Sequence, residues 1–285
     1  MRRRTFLEGA GAVATTLAGA SAGAATSAVR IGLTAVILAE QAAFLARWSA
    51  YLSERVGVKV VFVPRDSYQS ILDLLFSDQL DAAWICGYPY VRQQAQLQLL
   101  AVPVYERAPL YRSYLIRSRA GASEVQGWSD LRQRVLAYSD PLSNSGWLVA
   151  QSQLRAAGLG ARDLKRTFFV HSHRNVIDAV ASGLAHAGCV DGYIWETLKL
   201  QKMALVDQTQ VIWKSDFYAF PPIVARQGNR NRALPTLGTA LLAMHDDPEG
   251  KDLLRVLNLD WFSTARPALF DSIKALAASV SAMRT

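Results

Sequence analysis

A two-lobed α/β fold is what this sequence predicts, and three observations predict it. β-like runs alternate with helical stretches between Val29 and Val104, the alternation resumes after a break near Tyr111, and the end of the chain carries helical patterns alone. Alternation of this kind argues for a mostly parallel sheet in each lobe, because parallel strands need helical crossovers. A chain of 285 residues, 51% of them hydrophobic, is long and apolar enough to bury such cores.

In the first series, Val29 to Leu33 reads as a strand. The stretch from Glu40 to Val56 carries Phe44, Leu45, Trp48, Leu52 and Val56 at helical spacing. Val58 to Val63 is a β-branched strand, Tyr68 to Phe76 a helix, Asp81 to Cys86 a strand, Tyr90 to Gln98 a helix and Leu99 to Val104 a strand. Tyr111 to Arg117 is a strand after the break, and Gly121 to Gly127 is a polar loop.

The second series runs through strand Val135 to Tyr138, helix Gly146 to Ala157, strand Thr167 to Val170 and helix Asn175 to Ser182. Strand Ala187 to Val190 and helix Ile194 to Leu200 complete it. Val211 to Ser215 and Ala219 to Ala225 are strand-like, separated by Asp216 and Phe217. Helices are expected at Arg232 to Met244, Pro248 to Leu257 and Pro267 to Met283.

A tail of helices cannot build a third sheet, so it is expected to pack back on the first half. Residues 29–111 with 219–285 then form one lobe and 112–218 the other, with crossings at Tyr111 to Tyr114 and Phe217 to Pro221. Ligands of open α/β sheets sit beyond the carboxyl ends of the strands. The loops to inspect are therefore Thr34 to Ala39, Pro64 to Tyr68, Gly87 to Tyr90, Ser139 to Ser145, His171 to Arg174 and Asp191 to Tyr193.

The most informative of these is Tyr138-Ser-Asp-Pro-Leu-Ser-Asn-Ser-Gly-Trp147, which ends a strand and opens a helix with Ser143, Asn144 and Ser145 at its mouth. Short polar side chains beside unpaired helix N–H groups favour an anion, although ordinary capping explains the same residues. The formal charge of +8 suits an anionic ligand. It is scattered after the N-terminus, which excludes a basic stripe for nucleic acid.

At the N-terminus, Arg2-Arg3-Arg4-Thr5-Phe6-Leu7 precedes an Ala/Gly-rich stretch and small-residue sites such as Ala20-Ser21-Ala22. The pattern is that of a twin-arginine export signal over residues 1–28, cleaved between Ala22 and Ala28, with a periplasmic mature chain that does not span the membrane. Cys86 and Cys189 have no neighbours at zinc-ligand spacing and read as buried thiols, with a contact to a soft ligand held as the alternative. No metal and no cofactor is expected.

Five separated segments carry a family resemblance: Arg65-Asp-Ser-Tyr68, Leu80-Asp-Ala-Ala-Trp-Ile-Cys-Gly-Tyr-Pro-Tyr90, Ser139-Asp-Pro-Leu-Ser-Asn-Ser-Gly146, Ser172-His173 and Ala187-Gly-Cys-Val-Asp-Gly-Tyr193. Taken in this order they resemble the periplasmic phosphonate, phosphite and phosphate-binding proteins of ABC importers, which have the type II periplasmic binding fold. The resemblance runs from about Ile31 to Phe262. It implies a monomer that binds a small oxyanion between its lobes and delivers it to an ABC permease, or signals to a membrane sensor kinase.

It further implies ligand contacts from Ser143, Asn144 and Ser145, assistance from His173 and Asp191, and closure by Tyr68 and Tyr90. Asp191 would accept a bond from a P–OH or pair with an ammonium on the ligand. Asn144 stands where close relatives often carry Thr, and the two cysteines keep a thiophilic oxyanion open.

Each of these residues also has a structural reading. His173 can be a loop histidine on a carbonyl, with His171 as its competitor. Tyr68 and Tyr90 can be helix-start aromatics, and Asp191 a cap. An exported hydrolase using Ser145, His173 and Asp191 is the competing function. It lacks a G-x-S-x-G elbow, so the chain is read as a binding protein and not an enzyme.

Overall fold

The computed structural model describes residues 28–34, 42–120 and 125–282. The expected export signal, residues 1–28, lies outside the described residues apart from Ala28. So do residues 35–39 of the first expected ligand loop, the first two residues of the expected Glu40 to Val56 helix, and residues 121–124 of the polar loop.

The chain opens with strand β1 (Val29–Thr34), helix α1 (Ala42–Val56), β2 (Val60–Arg65), α2 (Tyr68–Phe76), β3 (Ala82–Trp84), α3 (Gly87–Arg92) and β4 (Leu97–Val104). Helix α1 buries Phe44, Trp48, Tyr51, Leu52 and Val56, a stripe at three- and four-residue spacing that turns one face to the sheet. Helix α3 starts three residues earlier than the periodicity suggests. Pro89 falls within its first turn, where a missing N–H costs nothing.

Next come β5 (Leu110–Ser118), β6 (Val135–Tyr138), α4 (Val149–Ala156), β7 (Arg166–Phe169), α5 (His173–Ala181), β8 (Ala187–Asp191), α6 (Gly192–Leu200), α7 (Ala204–Asp207) and β9 (Thr209–Ala219). A π-helical turn, Asn144–Leu148, leads into α4. Asp216 and Phe217, expected to interrupt a strand, lie inside β9. The interruption falls instead at Pro221-Pro222, whose nitrogens cannot donate to a ladder.

The chain ends with β10 (Ile223–Arg226), α8 (Leu234–Leu242), α9 (Pro248–Val256), β11 (Trp261–Ser263) and α10 (Asp271–Ala282). Six strands in the order β11-β4-β10-β3-β1-β2 make the sheet of the first lobe, and five in the order β7-β6-β8-β5-β9 make that of the second. Strands β1, β2 and β3 are parallel, as are β6, β7 and β8. The chain passes between the sheets twice, through residues 105–109 and 220–222.

Aromatic packing sets the first core: Trp48 lies 4.7 Å from Phe62, 6.0 Å from Trp84 and 6.4 Å from Phe262, ring centre to ring centre. The second sheet is covered on both faces. Leu115, Leu136 and Cys189 point to one side, while Ile116, Ala137 and Val190 point to the other, the period of two that a strand imposes. Helix α5 lies so close to β8 that a Cβ on Gly188 would sit 2.3 Å from Val176 Cγ1 and 2.9 Å from Val180 Cγ2. Gly188→Ala is accordingly expected to cost about 1–3 kcal/mol of stability through overpacking, measured as a lowered urea midpoint.

Candidate functional site

The carboxyl ends of β1, β3, β6 and β8 bring together Thr34, Cys86, Ser139, Asp140 and Asp191, all buried. Helices α2, α3, α5 and α6, with the π-helical turn that precedes α4, begin at the same place. Their N-terminal N–H groups carry partial positive charge toward the cleft between the sheets. Ser67 caps α2 by accepting from Ser70 N–H, Ser172 caps α5 by accepting from Asn175 N–H, and Asp191 Oδ1 caps α6 by accepting from Tyr193 N–H and Ile194 N–H.

The turn Ser143–Ser145 is the centre of the arrangement. Ser143 Oγ accepts from Gly146 N–H at 2.9 Å, so its hydroxyl serves as a cap. Ser113 Oγ donates to the Ser145 carbonyl at 2.7 Å, fixing the turn to β5. A Cβ on Gly146 would lie 1.9 Å from Ser139 Oγ and 3.1 Å from His173 Cε1. Only glycine lets the turn approach both residues. Ser139 Oγ and Asn144 Oδ1 are buried and take no hydrogen-bond partner among the described residues, and Thr34 Oγ1 and Ser145 Oγ, equally buried, have only the neighbouring hydroxyls of Tyr68 and Tyr111 to interact with, outside good hydrogen-bond geometry. Leaving such atoms unpaired costs roughly 1–3 kcal/mol each, so the group is able to bond water or a polar guest.

Asn144 also joins the lobes. Its N–H donates to Cys86 Sγ at 3.2 Å and its Nδ2 to the Tyr111 hydroxyl at 3.0 Å, while Tyr111 lies 3.9 Å from the same sulfur. Asp140 Oδ2 accepts from Tyr68 N–H at 3.3 Å, so a carboxylate of the second lobe meets the first turn of α2. Beside this contact Trp147 stacks on Tyr88, with ring centres 6.1 Å apart.

His173 Nδ1 accepts the Asp191 backbone N–H at 3.1 Å, which leaves the proton of the neutral ring on Nε2. Burial holds the imidazole neutral by lowering its pKa to about 3. The same burial raises the Asp191 carboxyl to about 7, partly offset by the two cap bonds it accepts. The Tyr68 phenol is pushed well above its usual range by burial and then by Cys86, so it stays protonated as a donor. None of the side chains gathered here carries a positive charge.

Tyr68, Ser143, Asn144, Ser145, His173 and Asp191 are thus brought together, with Cys86 at their edge. Tyr90 stands apart from them: its ring packs on Phe270 at 4.6 Å, on the side of α3 that faces α10. Cys189 is enclosed in the second lobe among Leu115, Leu136 and Tyr138, where its neighbours are apolar side chains of the core and not the turn. His171 is exposed, with a left-handed φ of 61° at the end of the β7 loop. Thr34, Tyr111, Ser113, Ser139 and Asp140 join the site without having been singled out individually. Ser139 and Asp140 directly follow a parallel strand, a position that could have flagged them. Nothing local distinguishes Tyr111 or Ser113.

Residues 34–270 match the family described as ABC transporter, phosphonate, periplasmic substrate-binding protein. The chain belongs to this family. A phosphate-import protein PhnD of Mycolicibacterium smegmatis is 25% identical over 187 residues. That match covers 59% of this chain and 56% of the relative, so the chain spans little more than half the length of the curated protein it matches.

The binding protein component of an ABC phosphonate transporter from Pseudomonas aeruginosa shares the fold with a TM-score of 0.82 at 20% identity. The likeness covers 90% of this chain and 87% of that one. PhnD1 of Prochlorococcus marinus, in complex with methylphosphonate, gives a TM-score of 0.79 at 19% identity over 89% and 98% of the two chains. The two-lobed architecture of the family's solved members is therefore the architecture found here.

The shifted pKa values of this family member have opposite consequences for stability. Asp191, raised in the folded state, contributes stability that declines as pH rises from about 4 to about 7. His173, lowered in the folded state, contributes stability that declines as pH falls from about 6.5 to about 3. Between about pH 4 and 6.5 the two slopes oppose each other. Asp191→Asn keeps a capping side chain but removes one slope. Relative to the parent, its unfolding free energy should fall by about 1.4 kcal/mol for each pH unit of acidification across that window. Urea titrations at several pH values measure the difference.

Proposed function

We propose that the protein captures a small tetrahedral phosphorus oxyanion of the phosphonate, phosphite or phosphate class in the periplasm, and hands it to an ABC permease. The observation that carries this reading is the buried, unpartnered hydroxyl of Ser139 beside the poorly satisfied hydroxyls of Ser145 and Thr34, ringed by helix N-termini. A tetrahedral oxyanion presents acceptors in every direction, and neutral donors with helix dipoles satisfy it without a buried cation. The unpartnered Asn144 Oδ1 and the Asp191 carboxyl supply acceptors for a ligand that keeps one proton. Family membership supports transport as the purpose of capture.

Capture fits the interlobe contacts. Asn144 with Cys86, Asp140 with Tyr68 and Trp147 with Tyr88 each link one lobe to the other around the unpartnered atoms. Residues 105–109 and 220–222 then act as the hinge, and a ligand that touches both lobes favours the closed form by its differential contacts.

The arrangement argues against acyl-transfer chemistry. A hydrolytic triad needs its histidine to donate from Nδ1 to a carboxylate and to accept the serine proton at Nε2. Here Nδ1 is an acceptor and the Asp191 carboxylate caps α6, so His173 holds the wrong tautomer and a pKa too low for a base.

Calorimetry with phosphite, methylphosphonate, 2-aminoethylphosphonate, phosphate and sulfate tests the reading. One of the phosphorus anions is expected to bind, and sulfate, which has no proton to give at neutral pH, should bind far more weakly. Ser139→Ala and Ser145→Ala should each weaken the preferred anion by about 1–3 kcal/mol. Equal affinity in parent and variants, or preference for sulfate, would overturn it.

A further inference from the structure

Helix α10 rests on both lobes. Just before its start, Phe270 packs on Tyr90, and in its first turn Ile273 Cδ1 stands 2.5 Å from where a Cβ on Gly87 would be, so it lies directly against the backbone of α3. Near its end, Val280 is buried and its carbonyl accepts from Arg155 Nη1 of α4 at 2.9 Å. Between these points the helix packs on β9 and on the π-helical turn that carries Asn144 and Ser145. The tail was expected to pack back on the first half of the chain, and this last helix touches the second lobe as well. Twelve helical residues span about 18 Å and cannot stretch.

We propose that α10 is a strap that ties the lobes together and limits how far the cleft opens. It joins the two helices, α3 and α4, that run back from the cleft on opposite sides, α3 from Cys86 and α4 from the Ser143–Ser145 turn. The two hinge segments can bend. A rigid helix that rests on α3 in one lobe and on α4, β9 and the π-helical turn in the other adds a third connection that opening has to break, and the Arg155 hydrogen bond and the buried Val280 hold its far end. Without that anchor the open form is more populated, and apparent affinity falls in proportion to the loss of the competent form. The inference rests on the clamp-like reading of the two lobes, and its test needs no ligand.

Cys86 supplies the probe, because it is buried where the lobes meet, whereas Cys189 is enclosed within one lobe. In the full-length mature protein without added anion, Arg155→Ala and Val280→Ala should speed alkylation of Cys86 by iodoacetamide about tenfold, with Cys189 unchanged, both read by peptide mass mapping. Small-angle scattering should show a larger radius of gyration for both variants than for the parent. Cys86 labelling at the parental rate in Arg155→Ala, with unchanged scattering, would overturn the strap. Should both thiols of Val280→Ala react together, that variant has unfolded, and Arg155→Ala, which removes only a partly exposed side chain, decides. Failure of every phosphorus anion to bind would sink the proposed ligand and leave this result standing.

Discussion

The close passage of the Ser143–Gly146 backbone past Ser139 and His173 is the constraint on which the rest of the site depends. Ser139 Oγ and the His173 ring occupy the space that any side chain at position 146 would need. That proximity lets one turn bring Ser145 Oγ and Asn144 Oδ1 to the same small volume, while Ser113 from β5 holds the Ser145 carbonyl. The parallel order of β6 and β8 makes the approach feasible, because it places the starts of α5, α6 and the π-helical turn side by side.

Burial without cations is the electrostatic signature of the cleft. An Arg or Lys would bind any anion strongly and discriminate poorly, whereas fixed hydroxyls and N–H groups demand a guest of matching shape. The low dielectric that raises Asp191 also lowers His173, so both favour their neutral forms in the empty site. An anion of the proposed class would therefore meet a wall of neutral donors with a protonatable carboxyl at one edge, and the free energy of desolvating it would fall on hydrogen bonds and helix dipoles.

Much of the fold was legible because hydrophobic periodicity reports burial directly. The strands from Val60 to Arg65 and Val135 to Tyr138, and the helices after Ser67 and Ser172, stand close to where the patterns place them. Boundaries were less legible where a proline or a capping residue decides them. The helix expected from Tyr90 begins at Gly87, with Pro89 tolerated in its first turn; Pro221-Pro222, not Asp216-Phe217, follows the end of the long hinge-side strand. Within the site, Ser143 to Ser145 were visible as a polar cluster at a helix start. Tyr111 and Ser113 were not, because one takes its role from the Asn144 amide of the π-helical turn and the other from the Ser145 carbonyl beside its strand pairing with Asp191, tertiary facts with no local pattern. Tyr90 shares the helix start that drew attention to it, but helical geometry turns its ring to Phe270.

The placement of Tyr90 gives that side chain a mechanical meaning. Helix α3 has Cys86 at its N-cap, in contact with Asn144 of the other lobe, and Tyr90 on the face that meets α10. Six residues form too short a helix to be stable by themselves, so its position depends on what it packs against. One neighbour is the opposite side of the cleft and the other is the helix that continues to α4. The position of Cys86 is consequently set by packing at Phe270 and Ile273 as much as by the strand that precedes it. A change in the seat of α10 would bear on Cys86 through α3, the short helix that lies between them.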